Sequence, residues 1–392
     1  MSWTQKNDSP VIVILGGGLS GSLLAYRILE LQNPPKFVVV EPQENLCGNH
    51  TWSFHSSDIP TDSWEWVRPL IFRSWEQQEV RFQGYTRDWK QGYHSVTSSH
   101  LRKKLQEPVR EPWLIHDEVV SFQSNQIELK SGLKLNAKVV FDARGMDSSL
   151  SIQCGYQKFL GLDLQLEKPH GLSHPVIMDA VCEQKRGYRF FYLLPWSSHD
   201  LLIEDTRYST EPEVDVIEFE NEIRAYCKRA HWKIHQIHRK EKGSLPIPYY
   251  KKKFSKNLQS LIPIGVRGGY FHWTTGYSFP YAVQVAQALA CEFIENPSWT
   301  VQSLQDRLKP IQRSVYKQSR FLALLNRMLF LAAPATERWK IFHRFYQLPE
   351  DLIFRFYQGN LKLKDQARIL IGKPPVPIGP ALLSAFTVIQ KK

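Results

Sequence analysis

Val11-Ile12-Val13-Ile14-Leu15 runs without a break into Gly16-Gly17-Gly18-Leu19-Ser20-Gly21. An apolar, β-branched run followed at once by G-x-G-x-x-G predicts a strand that turns sharply into a helix, continued by Ser22 to Leu31. A second apolar run, Phe37 to Val40, ends on Glu41, about twenty residues beyond the last glycine. Strand, glycines, helix, strand and terminal acid together form the β-α-β unit that binds dinucleotides. Gly16 permits the tight turn, Gly18 lets the backbone approach a pyrophosphate, and Gly21 lets the helix pack close to the strand. The helix N-terminus offers unpaired N–H groups to phosphate. Glu41 is placed to accept from the hydroxyls of an adenosine ribose, and its charge disfavours a ribose phosphate. The ligand narrows to FAD or NAD.

Lys138-Val139-Val140-Phe141-Asp142-Ala143-Arg144-Gly145 favours FAD. It is a second apolar strand ending in a small-residue turn, and it follows strands alternating from Ser121 to Leu135 around a turn at Lys130-Ser131-Gly132. This resembles flavoproteins of the glutathione-reductase and aromatic-hydroxylase type, in which a β-meander returns to the sheet and ends in a similar D-A-x-G beside the cofactor. Asp142 and Gly145 are therefore candidate cofactor contacts. Nothing else in the chain reads as a second nucleotide-binding unit, so a nicotinamide cofactor would have no domain of its own.

With 42% hydrophobic and 22% charged residues over 392 positions, the chain is globular and long enough for a large core. Cys47, Cys154, Cys182, Cys227 and Cys291 are scattered without metal-ligand or redox spacing, so no metal is expected and a reducing cytoplasm fits. The first residues lack an apolar signal segment, and no apolar run is long enough to span a bilayer. Net charge is nonetheless +12. No helix-turn-helix, zinc-finger or RNP-like pattern accompanies it, which argues against nucleic acid. Basic and large apolar residues mix in Asn326–Ala333 and Arg338–Tyr346. That mixture suits a helix lying in a membrane interface, and equally an amphipathic core helix with a basic outer face.

Between the FAD-type elements, Val176–Val181, Tyr188–Leu194 and Leu201–Arg207 read as strands, the last two joined by the polar turn Trp196–Asp200. Glu213–Arg229 reads as a helix after Pro212, Leu245–Tyr250 and Lys251–Lys256 as loop, and Leu261–Gly265 as a short strand. Tyr281–Ile294 has helical periodicity. Several helices follow from Val301 to Ile371, before the prolines of Gly372–Pro377.

The central chemical candidate is Leu201-Leu202-Ile203-Glu204-Asp205-Thr206. In a strand Glu204 and Asp205 point to opposite faces. An acid buried from so apolar a strand is held protonated, which suits a general acid. Alternatively both acids lie at an exposed strand end and pair with Arg189 or Arg207. His50 and His55, in Gly48–His55 just after the ribose acid, sit where the chain often curls toward a flavin ring. His272 lies in Gly265–Ser278, whose Gly265 and Gly276 suit backbone contacts to the flavin pyrophosphate and ribityl chain. For all three histidines packing and catalysis stay open. Flavin hydroxylases usually carry Gly-Asp at this strand end, whereas Gly265 is followed by Val266 and Arg267.

G-N-H-T-W-S-F-H at 48–55, G-L-S-H-P-V-I-M-D-A at 171–180, Y-R-F-F-Y-L-L-P at 188–195 and L-L-I-E-D-T at 201–206 resemble the bacterial lycopene β-cyclase family. So do T-T-G-Y-S at 274–278, N-R-M-L-F-L-A at 326–332 and I-G-K-P-P-V-P at 371–377. The resemblance runs nearly end to end. It implies an α/β chain with a glutathione-reductase/aromatic-hydroxylase-type FAD-binding Rossmann fold, an antiparallel-sheet substrate domain and a helical C-terminal region. The boundaries expected are 1–60, 96–155 and 258–295 for the FAD-binding domain, 61–95 and 156–257 for the substrate domain, and 296–392 for the membrane-facing region.

The activity implied is acid–base cyclisation of the ends of lycopene to β-ionone rings without net redox change. FAD would act in reduced form, with NADPH or NADH only as reductant. Glu204 is the implied essential acid and Asp205 the weaker candidate. Trp52, Phe54, Tyr188, Phe190, Phe191 and Trp273 are candidate walls for a carbocation. Lycopene, a membrane surface and other carotenoid-pathway enzymes are the implied partners, at the cytoplasmic face of a membrane. A flavin monooxygenase or prenyl-chain reductase on the same fold, or a non-catalytic flavin- or lipid-binding protein, remain the alternatives.

Overall fold

The computed structural model describes residues 11–107, 113–123, 125–145, 153–250 and 261–371. The chain opens with β1 (Ile12–Leu15), α1 (Leu19–Leu29), β2 (Phe37–Val40) and β3 (Thr51–His55). A short α2 (Trp64–Val67) leads into β4 (Arg73–Trp75), β5 (Gln78–Phe82), β6 (Tyr85–Trp89), β7 (Tyr93–Thr97) and α3 (Ser98–Gln106). Five short strands follow: β8 (Leu114–Ile115), β9 (Val119–Gln123), β10 (Gln126–Leu129), β11 (Lys134–Asn136) and β12 (Val139–Asp142). The long strands come next, β13 (Cys154–Leu166), β14 (Val176–Asp179), β15 (Tyr188–Pro195) and β16 (Asp200–Ser209). After them lie α4 (Val216–Arg229) and β17 (Ile234–Pro248). The remainder is β18 (Leu261–Pro263), α5 (Phe279–Glu295), α6 (Val301–Arg327), α7 (Trp339–Phe345), α8 (Glu350–Tyr357) and α9 (Leu363–Leu370).

The first β-α-β unit seeds a five-stranded parallel sheet of order β18-β12-β1-β2-β8. Its strands are buried on both faces, which is why β1, β2 and β12 read as continuous apolar runs rather than alternating ones. The expected meander is present as β9, β10 and β11, and it delivers β12 beside β1 in parallel register, Leu15 opposite Asp142. α5 packs along α1 on one face of this sheet.

The second layer is a seven-stranded sheet of order β17-β13-β16-β15-β14-β5-β6, antiparallel except where β14 meets β5. Its two faces belong to different cores. Leu201 and Ile203 pack with Phe219 and Ile223 of α4, while Leu202 and Tyr208 join the main core shared with the nucleotide-type half. A three-stranded sheet, β3-β7-β4, lies beside it.

Two expectations need correction here. Leu245 to Pro248 is not loop but the end of β17, in register with Cys154 to Gln157 of β13. β17 is an edge strand. Tyr249 N–H donates to Gln153 O, so alternation turns positions 246 and 248 toward the free edge, where proline's missing N–H leaves no ladder bond unmade. α4 begins at Val216 rather than Glu213, because the Asp215 carboxylate caps it by accepting from the N–H groups of Ile217 and Glu218. Lys251–Lys256 and Gly372–Pro377 lie outside the described residues.

The basic, aromatic stretches of the last quarter also turn mostly inward. Leu329, Phe330, Ala332 and Tyr346 are buried, Phe342 stacks on Tyr188 at 3.9 Å, and the buried Arg338 donates to the carbonyls of Tyr208 and Phe330. These segments roof the seven-stranded sheet. Among the described residues of this quarter, the large apolar side chains left outside are Leu331, Leu363, Leu370 and Ile371, with Tyr316. No helix among the described residues is long and apolar enough to cross a membrane.

Candidate active site

At the C-terminal ends of β1 and β12 the glycine loop is built as its spacing predicts. Gly16 sits at φ +97°, and a Cβ there would meet the Ala143 backbone at 3.0 Å; a Cβ at Gly21 would fall 2.0 Å from Gly16 O. Only glycine allows strand, loop and helix to meet this closely. Gly18, the N-cap of α1, makes no side-chain cap, and space for a Cβ there is open to at least 4 Å. The first turn of α1 thus lacks side-chain capping at a bare approach, which suits a pyrophosphate. Glu41 accepts from Gly17 N–H at 2.7 Å and Gln43 N–H at 2.9 Å, which fixes its carboxylate at the rim of this loop.

The other predicted contacts divide. At Gly265, with φ +60°, a Cβ would fall 2.4 Å from the Ser20 hydroxyl in the first turn of α1, and space beside Gly145 is open. Gly276 lies in the wall of a cavity, where a Cβ would fall 2.8 Å from the Leu245 side chain. Asp142 is buried and bonded bidentately to Arg144 at 2.9 and 2.8 Å, with Arg267 3.3 Å away. Arg267, at the strand end where the Gly-Asp pair is absent, donates its Nε–H to the Arg144 carbonyl at 2.7 Å and so links the two strand ends.

The cavity, of about 300 Å³, opens where three units meet: the β3-β7 sheet, the inner face of the seven-stranded sheet, and the Thr275–Phe279 loop leading into α5. Its walls are largely aromatic, with Trp52, Tyr93, Phe159, Phe190, Tyr192, Tyr277, Phe279 and Tyr357 among them. Of the six aromatics expected to line it, Trp52 and Phe190 do. The others stand behind: Phe54 stacks on Phe279 at 4.7 Å, Tyr188 on Phe342, and Trp273 on Phe271. Phe191 points to the opposite face of the sheet, against Tyr226.

Strand alternation separates the two acids of β16 as predicted. Glu204 faces the cavity, and Thr206 donates its hydroxyl to Glu204 Oε1. Burial, reinforced by the nearby Glu241, pushes the Glu204 carboxyl up to about 8, against the opposing Thr206 bond. Glu204 and Glu241 flank the same residue, Gly161, one from each neighbouring strand. A Cβ at 161 would lie 3.2 Å from Glu241 Oε1. Glu241 is anchored by Arg239 Nη1 at 2.6 Å and by the Thr51 hydroxyl at 3.2 Å.

Asp205 corrects the sequence reading of a second catalytic candidate. It is fully buried on the far face, bonded bidentately by Arg189 at 3.0 and 2.8 Å and held by Arg207 at 2.9 Å. Glu222 and Glu218 of α4 complete this network. The partners foreseen for an exposed pair of acids are the right ones, but they serve Asp205 alone and inside the protein.

The three histidines also part company. His272 spends both ring nitrogens on its own surroundings, the Phe356 carbonyl and the Thr275 hydroxyl, and is a packing residue. His50 lies in the cavity wall, its imidazole held neutral by burial and by Arg239. His55 lines the cavity with Nδ1 3.1 Å from Asp58 Oδ2, and Tyr277 donates to the same oxygen at 2.6 Å. The hydroxyls of Tyr93 and Tyr192 bond at 2.7 Å and tie the two sheets across the site; Tyr93 is the register partner of His55, and Tyr192 of Glu204.

Glu241 and Asp58 were not singled out from sequence. Glu241 sits in His238–Lys242, which reads as a solvated charge run, although its alternation with Lys240 and Lys242 is a strand signal. Asp58 carries the spacing of a helix-start acid, three residues after His55.

The fold class follows from this arrangement: a FAD-binding Rossmann type carrying an antiparallel substrate-side sheet. A probable FAD-dependent monooxygenase from Pseudomonas aeruginosa superposes with a TM-score of 0.57 at 16% identity, over 87% of this chain and 100% of its own. The sequence match is narrower in class. The model of the family described as lycopene cyclase protein matches residues 11–383. Lycopene beta-cyclases of Pseudescherichia vulneris and Pantoea ananas are 39% and 38% identical, each over 96% of this chain and over 97% and 98% of their own lengths. The chain belongs to the lycopene cyclase family.

The two faces of β16 predict opposite responses to removal of a charge. Asp205→Asn leaves two buried guanidinium groups without their carboxylate and is expected to lower stability by about 3–5 kcal/mol. Glu204→Gln replaces a group already neutral at pH 6. In urea unfolding it is expected to match wild type only near pH 4 and to become progressively the more stable protein as pH rises from the ordinary carboxyl value of 4.5 to about 8, because over that window the unfolded wild type ionises Glu204 while the folded one keeps it protonated.

Proposed function

We propose that this protein is a lycopene β-cyclase that closes the linear ends of lycopene to β-ionone rings by acid–base chemistry. The observation that carries the reading is Glu204, a carboxyl kept protonated near neutral pH on the wall of a largely aromatic cavity. An isolated double bond is a weak base, so its protonation needs an acid aimed at it and surroundings that favour the resulting cation over solvent capture. Glu204 delivers the proton to the terminal double bond. The faces of Trp52, Phe190, Tyr192 and Phe279 then border the tertiary cation and shield it from water. Attack by the neighbouring double bond closes the ring, and loss of a proton sets the β double bond. A cavity of about 300 Å³ is at the small end of ligand pockets and suits one end group of a long polyene at a time.

The residues present fit FAD. The uncapped start of α1 and the open approach at Gly18 suit the pyrophosphate, Glu41 the adenosine ribose, and Gly265 a backbone contact near the ribityl chain. The reduced cofactor would supply a fixed negative charge beside the cation, and NADPH or NADH would serve only to reduce it. Domain boundaries are proposed as expected from sequence, with 296–392 facing the membrane.

Anaerobic incubation with lycopene, liposomes and dithionite-reduced FAD tests the reading directly. The expected product has the mass of lycopene and no flavin is oxidised. A product heavier by oxygen or by hydrogen shows a monooxygenase or reductase, and binding without turnover shows a carrier.

Glu204→Gln is expected to lower ring closure by at least about a hundredfold with FAD binding retained. The acid must be protonated to act, so wild-type turnover is expected to fall as pH rises through about 8. Turnover of Glu204→Gln close to wild type would move the acid's role elsewhere.

Membrane attachment would rest on exposed Leu331 and on Leu363, Leu370 and Ile371 beside the exposed Lys362, Lys364 and Arg368, together with the basic surplus of the chain. Sedimentation with anionic liposomes is expected to exceed sedimentation alone and to weaken only partly in high salt, since screening leaves the apolar contribution. Equal pelleting with and without liposomes would remove the proposal.

A further inference from the structure

The cyclase reading calls for a group that takes the last proton, and building on it we infer that His55, oriented by Asp58, is that base. His55 Nδ1 lies 3.1 Å from Asp58 Oδ2, and the same oxygen accepts from the His55 backbone N–H at 2.9 Å and from the Tyr277 hydroxyl at 2.6 Å. Asp58 is buried, and among the described residues its Oδ1 has no hydrogen-bond partner, so all its bonds are made through the oxygen that faces His55. The ring is wedged between Tyr93, Phe354 and Tyr357, with centroids 5.1 to 5.3 Å away. With Nδ1–H donated to Asp58, the basic lone pair is on Nε2, which has no hydrogen-bond partner among the described residues, on a side chain that lines the cavity. This is the orientation logic of an imidazole base backed by a carboxylate.

No neighbouring histidine has a carboxylate bonded to its ring among the described residues, and His50 lines the cavity without one. His94 has both ring nitrogens bonded to Ser56 and Ser74, and His272 is saturated as described above. Glu204 stands on the other sheet, on the strand paired with the one that carries Tyr192. Acid and base thus reach the cavity from two different sheets, as protonation at one carbon and deprotonation at another require.

The step balances as follows. Glu204 gives its proton to C2 of the end group, the C1–C6 bond forms from the C5–C6 π pair, and the positive charge moves to C5. Nε2 of His55 takes the proton on C6, and the electron pair of that C–H bond becomes the C5–C6 double bond of the β ring. Asp58 stabilises the imidazolium. The proton is lost to solvent and Glu204 is reprotonated, so none is consumed.

A placed base decides which proton leaves. Without it the C5 cation also loses a proton from C4, giving the ε ring, or from the C5 methyl group, giving the γ ring. His55→Gln and Asp58→Asn are to be assayed beside wild type with lycopene and reduced FAD, scoring rate, ring isomers and retained flavin absorbance. The expected result for His55→Gln is a fall of about a hundredfold with ε or γ rings appearing. Asp58→Asn keeps the imidazole and is expected to fall less with the same isomer shift; it carries the test if His55→Gln fails to hold flavin. β rings alone from both variants, at whatever rate, overturn the assignment of His55 while leaving the cyclase reading intact. A wild-type protein that forms no ring overturns the cyclase reading, and this one with it.

Discussion

Asp205 locked between Arg189 and Arg207 is the interaction around which the substrate-side half is organised. Three charges with no access to solvent persist only because each is paired and hydrogen-bonded, and because Glu218 and Glu222 of α4 close the network from outside. That network fixes which face of β16 looks at α4. The strand's alternation then leaves Glu204 no choice but the opposite face, where no guanidinium touches it and its proton is retained. Two adjacent carboxyls in one strand therefore meet opposite surroundings, guanidinium groups for Asp205 and the cavity for Glu204, and the scaffold acid is what keeps the chemical one in place.

The same coupling runs between the halves. The loop that ends in Gly276 and starts α5 forms one wall of the cavity, while α5 itself packs along α1, whose N-terminus offers the phosphate-type site. His55 reaches the cavity from the segment that follows the ribose-type acid Glu41. The nucleotide-type loop and the acid–base residues thus hang on a common set of elements.

Much of this was legible in the sequence, for physical reasons that can be named. The glycine loop is dictated by backbone contacts under 3.5 Å, which only one residue type tolerates, so residue identity alone reveals it. The opposite faces of Glu204 and Asp205 follow from a period of two. What was not legible depends on register between strands far apart in the chain. Glu241 meets Glu204 over Gly161 across three strands, and no local pattern announces that meeting. The inward turn of Arg338–Tyr346 was hidden because an amphipathic stretch has the same composition whether its apolar side meets lipid or protein. The edge position of β17, which makes two prolines acceptable in a strand, likewise belongs to the assembled sheet.

Those prolines have a consequence beyond the fold. The rim of a sheet is a template on which a second polypeptide can add itself, and a protein with a large apolar interior has much to lose from such zippering. Here one rim, β17, ends in Pro246 and Pro248 and carries exposed His235, His238, Lys240 and Lys242. Beside the other, β6, lies the segment around Tyr346 and Leu348, whose carbonyls accept from the side chains of Tyr85 and Arg87. Both borders of the largest sheet thus carry features that work against the addition of a foreign strand, prolines and charge on one and a neighbouring segment held by side chains on the other.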